Sequence, residues 1–307
     1  MKTYLIRSTA FVAFLLSLST APLFADVDDE GLVTHLTFDE GTGRWAKDSA
    51  PHGVEDDKSE LRGDTTWIDD GVHGSAVKFS GKHGSYIYLK HCSADIQVCR
   101  SVRQHNHSTF AFWFKCDDNN KKETLQTIFE TGGYHNNLNV FIYEGVVHVG
   151  VIGGYPNKKP HRFQPPQWMN TKDNLRDGTD WQIVDGRWHH FAFTVEAGTS
   201  PVPKGYKVYL DGQLVMTGTG TQIDAHGAQA GIGAVNDEAI YPRSRDGWYD
   251  IPGGPHAKDA DTHKDQQELC RGIYPFAGCV DDFRLYHRVL TPDEIATIHK
   301  TGREALE

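Results

Sequence analysis

Apolar and polar residues alternate along many short segments of this chain. A period of two is typical of strands that bury one face and expose the other. Clusters of glycine and small polar residues separate the segments, as turns between strands do. The predicted strands are Leu32–Phe38, Ala76–Phe79, Tyr86–Leu89, Phe110–Phe114, Gln126–Phe129, Asn139–Tyr143, Val146–Val149, Trp188–Val195, Tyr206–Leu210 and Gln213–Met216.

Three short turns predict which strands pair. Asp211-Gly212 lies between two of the strands and is a strong signal for a two-residue hairpin. Glu144-Gly145 predicts a second hairpin, and the turn that contains Gly81 and Gly84 predicts a third, between Ala76–Phe79 and Tyr86–Leu89.

The last thirty or so residues predict a strand followed directly by a helix. Phe276–Tyr286 alternates as a strand and carries the paired aspartates Asp281 and Asp282. Thr291 is then an N-cap, with proline at the first helical position and Glu294 completing a capping box. Strands at this spacing with one terminal helix predict an all-β sandwich or jelly roll.

Two stretches, 155–185 and 234–278, are much longer than an ordinary loop of about 4–6 residues. Both are rich in Trp, Tyr, His, Arg and Asp. Disordered segments lack aromatic residues, so we expect these loops to be ordered. Long ordered loops on a rigid sandwich often carry function.

Taken together, several short motifs resemble those of laminin-G-like jelly rolls in the concanavalin A-like lectin and glucanase superfamily. The resemblance covers about Leu32 to Ile298 and implies a two-sheet antiparallel β-sandwich with a short C-terminal helix. It also implies glycan binding more often than glycan cleavage. The motifs are Leu36–Glu40, Asp48–Gly53, Gly71–Phe79, Phe110–Trp113, Asp185–Phe193, Val208–Gly212 and Gly278–Ile295.

Residues 1–25 have the features of a secretory signal: Lys2 and Arg7, then an apolar run, then Leu23-Phe-Ala25 before Asp26. The run is shorter than the about 20 residues of a membrane-spanning helix. We therefore expect a periplasmic or extracellular protein with a single domain at 26–307. Without the signal, 29 basic residues face 41 acidic ones, and the net charge is 29 − 41 = −12. This charge argues against nucleic acid and anionic membranes as partners.

Export makes disulfides plausible for the five cysteines. The closest spacings favour the pairs Cys92–Cys99 and Cys270–Cys279, although other pairings stay open. Cys116 would then remain as a small buried hydrophobic residue.

The resemblance also suggests a structural Ca²⁺ between the N-terminal loop and the last strand. Asp39, Asp48 and Asp281 occupy the matching positions, with Asp48 and Asp281 as the main ligands. Ca²⁺ takes six to eight oxygen ligands from carboxylates, carbonyls and water. The alternative is that Asp39 and Asp48 cap turns and that Asp281 is a solvated strand residue.

Sugar binding needs aromatic platforms beside convergent polar groups. We predict a groove formed by the two long loops, with an oligo- or polysaccharide as ligand. Its candidate residues are Trp168, Trp181, Tyr241, Arg243, Arg245, Trp248 and Tyr249.

Two other functions stay open. A polysaccharide lyase would neutralise a uronate with arginine and remove a proton with tyrosine or histidine. The residues that could supply these groups are Tyr241, Arg243, Arg245 and His161. A glycoside hydrolase is the other enzymatic option. Glu55–Glu60 matches a glucanase pattern, but its intervening residues are polar, so we interpret the match as accidental. A protein-interaction or adhesion module is the third reading.

Overall fold

The computed structural model describes residues 27, 29–51, 58–89, 107–117, 125–131, 137–143, 145–152, 167–170, 182–196, 204–220, 230–235 and 274–307. Within these residues the chain forms two antiparallel eight-stranded sheets and a C-terminal helix. The predicted fold class, an all-β sandwich of jelly-roll type with a short C-terminal helix, is confirmed.

Sheet A has the strand order β14-β13-β12-β7-β16-β5-β4, and β1 pairs with β16 beside this path. Its strands are β1 Leu32–Leu36, β4 Thr66–Ile68, β5 Ala76–Ser80, β7 His107–Cys116, β12 Trp188–Glu196, β13 Lys204–Leu210, β14 Gln213–Gly220 and β16 Ala277–Tyr286.

Sheet B has the order β11-β10-β9-β8-β15-β6-β3-β2. Its strands are β2 Trp45–Lys47, β3 Lys58–Arg62, β6 Tyr86–Leu89, β8 Gln126–Glu130, β9 Asn137–Tyr143, β10 Val146–Ile152, β11 Gln167–Asn170 and β15 Ala230–Ile232.

The main core lies between the two sheets. Alternate residues of the strands point into it, and aromatic rings fill its centre. Phe112 stacks on Phe283 with ring centroids 6.2 Å apart, and Phe129 lies 5.1 Å from Phe283. Because sheet A is covered on its other face as well, β7 and β12 are buried on both faces and read as nearly continuous apolar runs.

Helix α1, Pro292–Ala305, covers part of the outer face of sheet A through Ile295, Ile298 and Gly302. Its predicted start is confirmed: Thr291 accepts a hydrogen bond from the backbone N–H of Glu294, and the Glu294 side chain accepts from the Thr291 backbone. This capping box satisfies amide groups that a helix start otherwise leaves without partners.

Two of the three predicted hairpins are confirmed. β13 and β14 pair across Asp211-Gly212, and β9 pairs with β10. The third is wrong: β5 pairs with β16 and β4 in sheet A, whereas β6 pairs with β3 and β15 in sheet B. The turn at Gly81 and Gly84 therefore carries the chain from one sheet to the other.

Candidate functional site

The residues predicted to line a sugar groove lie mostly outside the described residues. Trp181, Tyr241, Arg243, Arg245, Trp248 and Tyr249 all do, and so does His161. Trp168 lies on β11, which pairs with β10, so this part of the predicted long loop is a strand. The groove stays a prediction.

The paired aspartates of β16 lie in a β-bulge, where the register with β7 shifts between Asp281 and Arg284. Asp282 has a φ of 49°, in the left-handed region. β5 pairs with the start of β16 and β1 with its end, so the bulge lies where one partner strand gives way to the other. Such irregularities re-aim side chains out of the strand alternation.

Asp281 holds the segment before β5 to the bulge. Its Oδ2 accepts from the backbone N–H groups of Val72 at 2.7 Å and His73 at 3.2 Å, and its Oδ1 accepts from the N–H of Asp282 at 2.8 Å. Burial raises the pKa of Asp281 to about 8, although these amides oppose the shift. It is a buried residue, so the solvated-strand alternative for Asp281 does not hold.

Asp282 forms a buried ionic network with two partners. Its Oδ1 accepts from His35 Nε2 at 2.7 Å and from Arg284 Nε at 2.9 Å. Burial alone would raise the pKa of Asp282, but Arg284 and His35 together lower it. The network joins the first and last strands of sheet A through side chains as well as through their ladder.

The three predicted calcium ligands have separate partners. Asp39 Oδ1 accepts from the Ser75 N–H at 3.1 Å, and Asp48 Oδ1 accepts from the N–H groups of His35 and Ala50, both at 2.8 Å. Asp281 bonds to the amides described above. Among the described residues, no group of three or more His, Cys, Asp or Glu side chains is arranged to hold a metal ion.

His189 lies between two carboxylates on the inner side of β12. Its Nδ1 donates to Asp211 Oδ2 at 2.9 Å, and its Nε2 donates to Asp185 Oδ1 at 3.1 Å. Asp211 also accepts from the His190 backbone N–H at 2.9 Å. This arrangement ties the β13–β14 turn to the segment before β12. His190 lies under α1 on the opposite face, so the two adjacent histidines cannot share one ligand.

The His189 cluster predicts a defined pH dependence. Burial disfavours the charged imidazolium, but the hydrogen bonds that His189 donates to Asp211 and Asp185 raise its pKa overall. The cluster's stabilisation is therefore complete below the unfolded pKa of about 6.5 and is lost as pH rises through the folded pKa. We expect the difference in free energy of unfolding between the wild type and His189→Gln, measured by urea unfolding, to decrease as the pH rises above about 6.5. The comparison with the variant is needed because burial lowers the pKa values of His190 and His299, so these two residues also make the wild-type stability depend on pH. A flat difference would contradict the prediction.

Cys116 and Cys279 are both buried free thiols. Cys116 lies in the core between the sheets, as predicted, and burial raises its pKa. Cys279 faces the other side of sheet A, and burial raises its pKa to about 11. Because Cys279 is a free thiol in this structure, it does not form the predicted disulfide with Cys270 here. Cys92 and Cys99 lie outside the described residues, so their disulfide stays a prediction.

The outer face of sheet B carries an aromatic and charged surface near its β2 edge, which we name the Trp45 patch: Trp45, Glu60, Arg62, Tyr86 and Tyr88. Trp45 is 49% exposed and is the only exposed large hydrophobic residue among those described. Trp45 pairs across strands with Glu60, which pairs with Tyr88. Because Ala46, Leu61 and Ile87 face the core, these neighbours face outward.

The polar members of the Trp45 patch are held by one another. The Arg62 guanidinium lies 4.3 Å from the Tyr88 ring centroid. It donates to Glu60 Oε2 at 2.9 Å and to the Tyr86 hydroxyl at 3.0 Å. The alternation of apolar and polar residues does not predict this patch, because β2 and β3 are short and lie among turn residues. The one signal in the sequence is that Trp45 lies between Arg44 and Lys47, without an apolar neighbour on its own face of the strand.

The fold and a match to a protein-family profile lead to the same class of protein. The architecture, two antiparallel sheets around an aromatic core with a capped terminal helix, is that of the concanavalin A-like lectin/glucanase class. The chain belongs to the Laminin_G_3 family of that superfamily, whose profile matches residues 84–242, just over half of the sequence. No curated protein matches the chain.

Solved structures share the fold at low identity. The binding domain of Paraclostridial Mosquitocidal Protein 1 superposes with a TM-score of 0.53 at 12% identity, covering 88% of this chain and 52% of that one. The binding domain of botulinum neurotoxin serotype D/C gives 0.54 at 10% identity, covering 89% and 53%. The chain thus spans about half the length of these structures.

Domain 4 of AbnA, an extracellular arabinanase from Geobacillus stearothermophilus in complex with arabinotriose, gives a TM-score of 0.48 at 18% identity, covering 89% of this chain and 100% of that one. No helix in the described part of the chain has the length and apolar character needed to cross a membrane.

Proposed function

We propose that this chain is an exported carbohydrate-binding protein and that the Trp45 patch contributes to its ligand site. The observation that carries the proposal is the exposure of Trp45 in a structure where every other large hydrophobic residue that is described is at least partly buried. Tryptophan combines an apolar face with a polar N–H group and is enriched at binding surfaces.

The patch has the two components that a sugar site needs. Trp45 offers a flat apolar face, on which the C–H groups of a pyranose can stack. Glu60 and Arg62 offer hydrogen-bonding groups next to it, and the contacts of Arg62 with Tyr88 and Tyr86 limit its freedom before binding. A group that is already ordered loses less entropy when a ligand arrives.

Charge around the patch favours an acidic glycan over a neutral one. Lys47 and Lys58 are exposed and lie directly opposite each other on β2 and β3. A carboxylate or sulfate group of a glycan forms charge-assisted hydrogen bonds with ammonium groups of this kind, even though the chain as a whole has a net charge of −10.

Trp45→Ala is expected to weaken glycan binding by at least about 30-fold, because truncating a tryptophan anchor costs about 2 kcal/mol or more. The melting temperature should not change, since surface substitutions stay within about 0.5 kcal/mol. A glycan array would find the ligand, and calorimetry would measure its affinity. Lys300→Ala, an exposed change on α1, is the control. Equal affinities of the two variants would rule out the patch.

A protein partner is the second candidate, because tryptophan, tyrosine and arginine are also the residues that dominate protein interfaces. The Trp45 patch contains all three. Absence of binding across the glycan array, together with a co-purifying protein that Trp45→Ala releases, would favour this function over carbohydrate binding.

A structural Ca²⁺ is part of the proposal. Asp48 fits a calcium ligand, because its Oδ2 is buried and has no hydrogen-bond partner. Glu40 Oε2, in the same N-terminal loop region, is also buried without a hydrogen-bond partner. Asp281 fits less well, since both of its oxygens accept backbone amides. When bound, the ion would neutralise acidic groups of this loop and fix its conformation.

EDTA is expected to lower the melting temperature by several degrees, because an ion that binds only the folded state stabilises it by mass action. Adding excess CaCl₂ should restore the original value, and MgCl₂ should not, since Mg²⁺ demands a stricter geometry. An unchanged melting temperature in EDTA would remove calcium from the proposal.

A further inference from the structure

The outer face of sheet A beneath α1 contains polar atoms that have no partner in the protein. The indole Nε1 of Trp113, both ring nitrogens of His190 and the Oδ2 of Asp282 are buried and form no hydrogen bond. Trp113 and His190 are fully buried, and Asp282 is 4% exposed. Buried polar groups almost always have a protein or water partner, so a cluster of this kind requires an explanation.

These atoms lie on three adjacent strands. His190 on β12 is the cross-strand partner of Trp113 on β7, and their ring centroids are 5.2 Å apart. Trp113 is in turn opposite Asp281 on β16, the neighbour of Asp282. His299 of α1 closes the region from above, with its ring 6.1 Å from that of His190.

The surrounding charges exclude an ionic ligand. Arg284 already balances the charge of Asp282. Burial, reinforced by His299, lowers the pKa of His190 to about 3, so its imidazole is neutral at pH 7. A cation would face Arg284, and an anion would face Asp282 and Asp211, because these three charged groups influence His190 electrostatically.

The hydrogen-bonding groups define the ligand further. Trp113 can only donate, Asp282 can only accept, and a neutral imidazole does one of each. The ligand must therefore both donate and accept. It must also be small, because a Cβ added to Gly302 of α1 would lie 2.7 Å from Trp113 Cε2 and 3.0 Å from its Nε1. Water meets all of these conditions, and buried waters typically make about three hydrogen bonds.

We propose that ordered water is bound beneath α1 and joins Trp113 Nε1, the His190 ring and Asp282 Oδ2. The water site supplies the missing partners and links β7, β12 and β16. It is independent of the Trp45 patch on the other side of the sandwich.

A crystal structure at high resolution tests the proposal. The expected result is a water about 2.7–3.2 Å from a His190 nitrogen and from either Trp113 Nε1 or Asp282 Oδ2. Empty density, protein atoms in those positions, or an ion with short coordination distances would each overturn it.

A solution measurement provides an independent test on the full chain. The Trp113 indole N–H should show a direct NMR cross-peak to water. His190→Phe keeps a ring of similar shape but removes both nitrogens, so it should weaken that cross-peak or abolish it. Phe191→Leu, at the next position of β12 but on the opposite face of the sheet, leaves the polar atoms in place and is the control. A wild-type indole without any water cross-peak contradicts bound water.

Discussion

Asp282→Ala is expected to lower the free energy of unfolding by about 3–5 kcal/mol, the cost of removing one partner of a buried ion pair. The substitution leaves the Arg284 guanidinium buried without its carboxylate and removes the acceptor of His35 Nε2. It also places a residue with a Cβ and no polar side chain at a φ of 49°, which Asp tolerates better than Ala. Chemical denaturation at pH 7 measures the effect.

Asp64→Ala is the matched control for Asp282→Ala. Asp64 pairs with Lys82 at 2.9 Å, but the two side chains are 58% and 75% exposed. Exposed ion pairs contribute about 0–1 kcal/mol. If both alanine variants lost similar stability, the buried network would not have the importance that its burial implies.

Gly302→Val is expected to cost about 2–4 kcal/mol, because the new side chain collides with the buried indole of Trp113. Either the indole shifts within a packed layer, or α1 moves away and exposes Ile295 and Ile298, each worth about 1.5–3 kcal/mol when fully buried. Differential unfolding curves of the two proteins measure the loss.

Gly302→Ala separates sterics from helix propensity. Alanine favours a helix interior over glycine by about 1 kcal/mol, so a net loss of stability here would show that the contact with Trp113 dominates. Arg303→Ala, the adjacent exposed position of α1, should change little. A stabilised Gly302→Ala variant would contradict the close packing of α1 on the sheet.

Local signals made much of the fold predictable. The β13–β14 hairpin follows from Asp211-Gly212, whose positive φ values of 49° and 73° are those that a tight hairpin turn requires. The start of α1 follows from Thr291, Pro292 and Glu294, which act within one turn of helix. In both cases the information lies within a few residues of the structure it determines.

Other features depend on distant residues. The short strands β2, β3 and β4 are stabilised by their neighbours in the sheets, and their sequences alone contain too few alternating positions. The change of sheet between β5 and β6 could not be predicted, because a glycine turn fits a hairpin and a crossover equally well.

In the candidate site, the bulge at Asp281 and Asp282 likewise depends on residues that are distant in the sequence. In the structure, Asp281 Oδ2 accepts backbone amides from a segment more than 200 residues earlier. Nothing near Asp281 in the sequence indicates that partner. The Trp45 patch was missed for a related reason, since the exposure of a side chain depends on the whole sheet.

The position of β16 determines when this protein can fold. β16 lies between β7 on one side and β1 and β5 on the other, so the interior of sheet A is incomplete until residues 277–286 are available. Contacts of such long sequence separation form slowly. A nascent chain would therefore keep the interior of sheet A open until residues 277–286 have been synthesised.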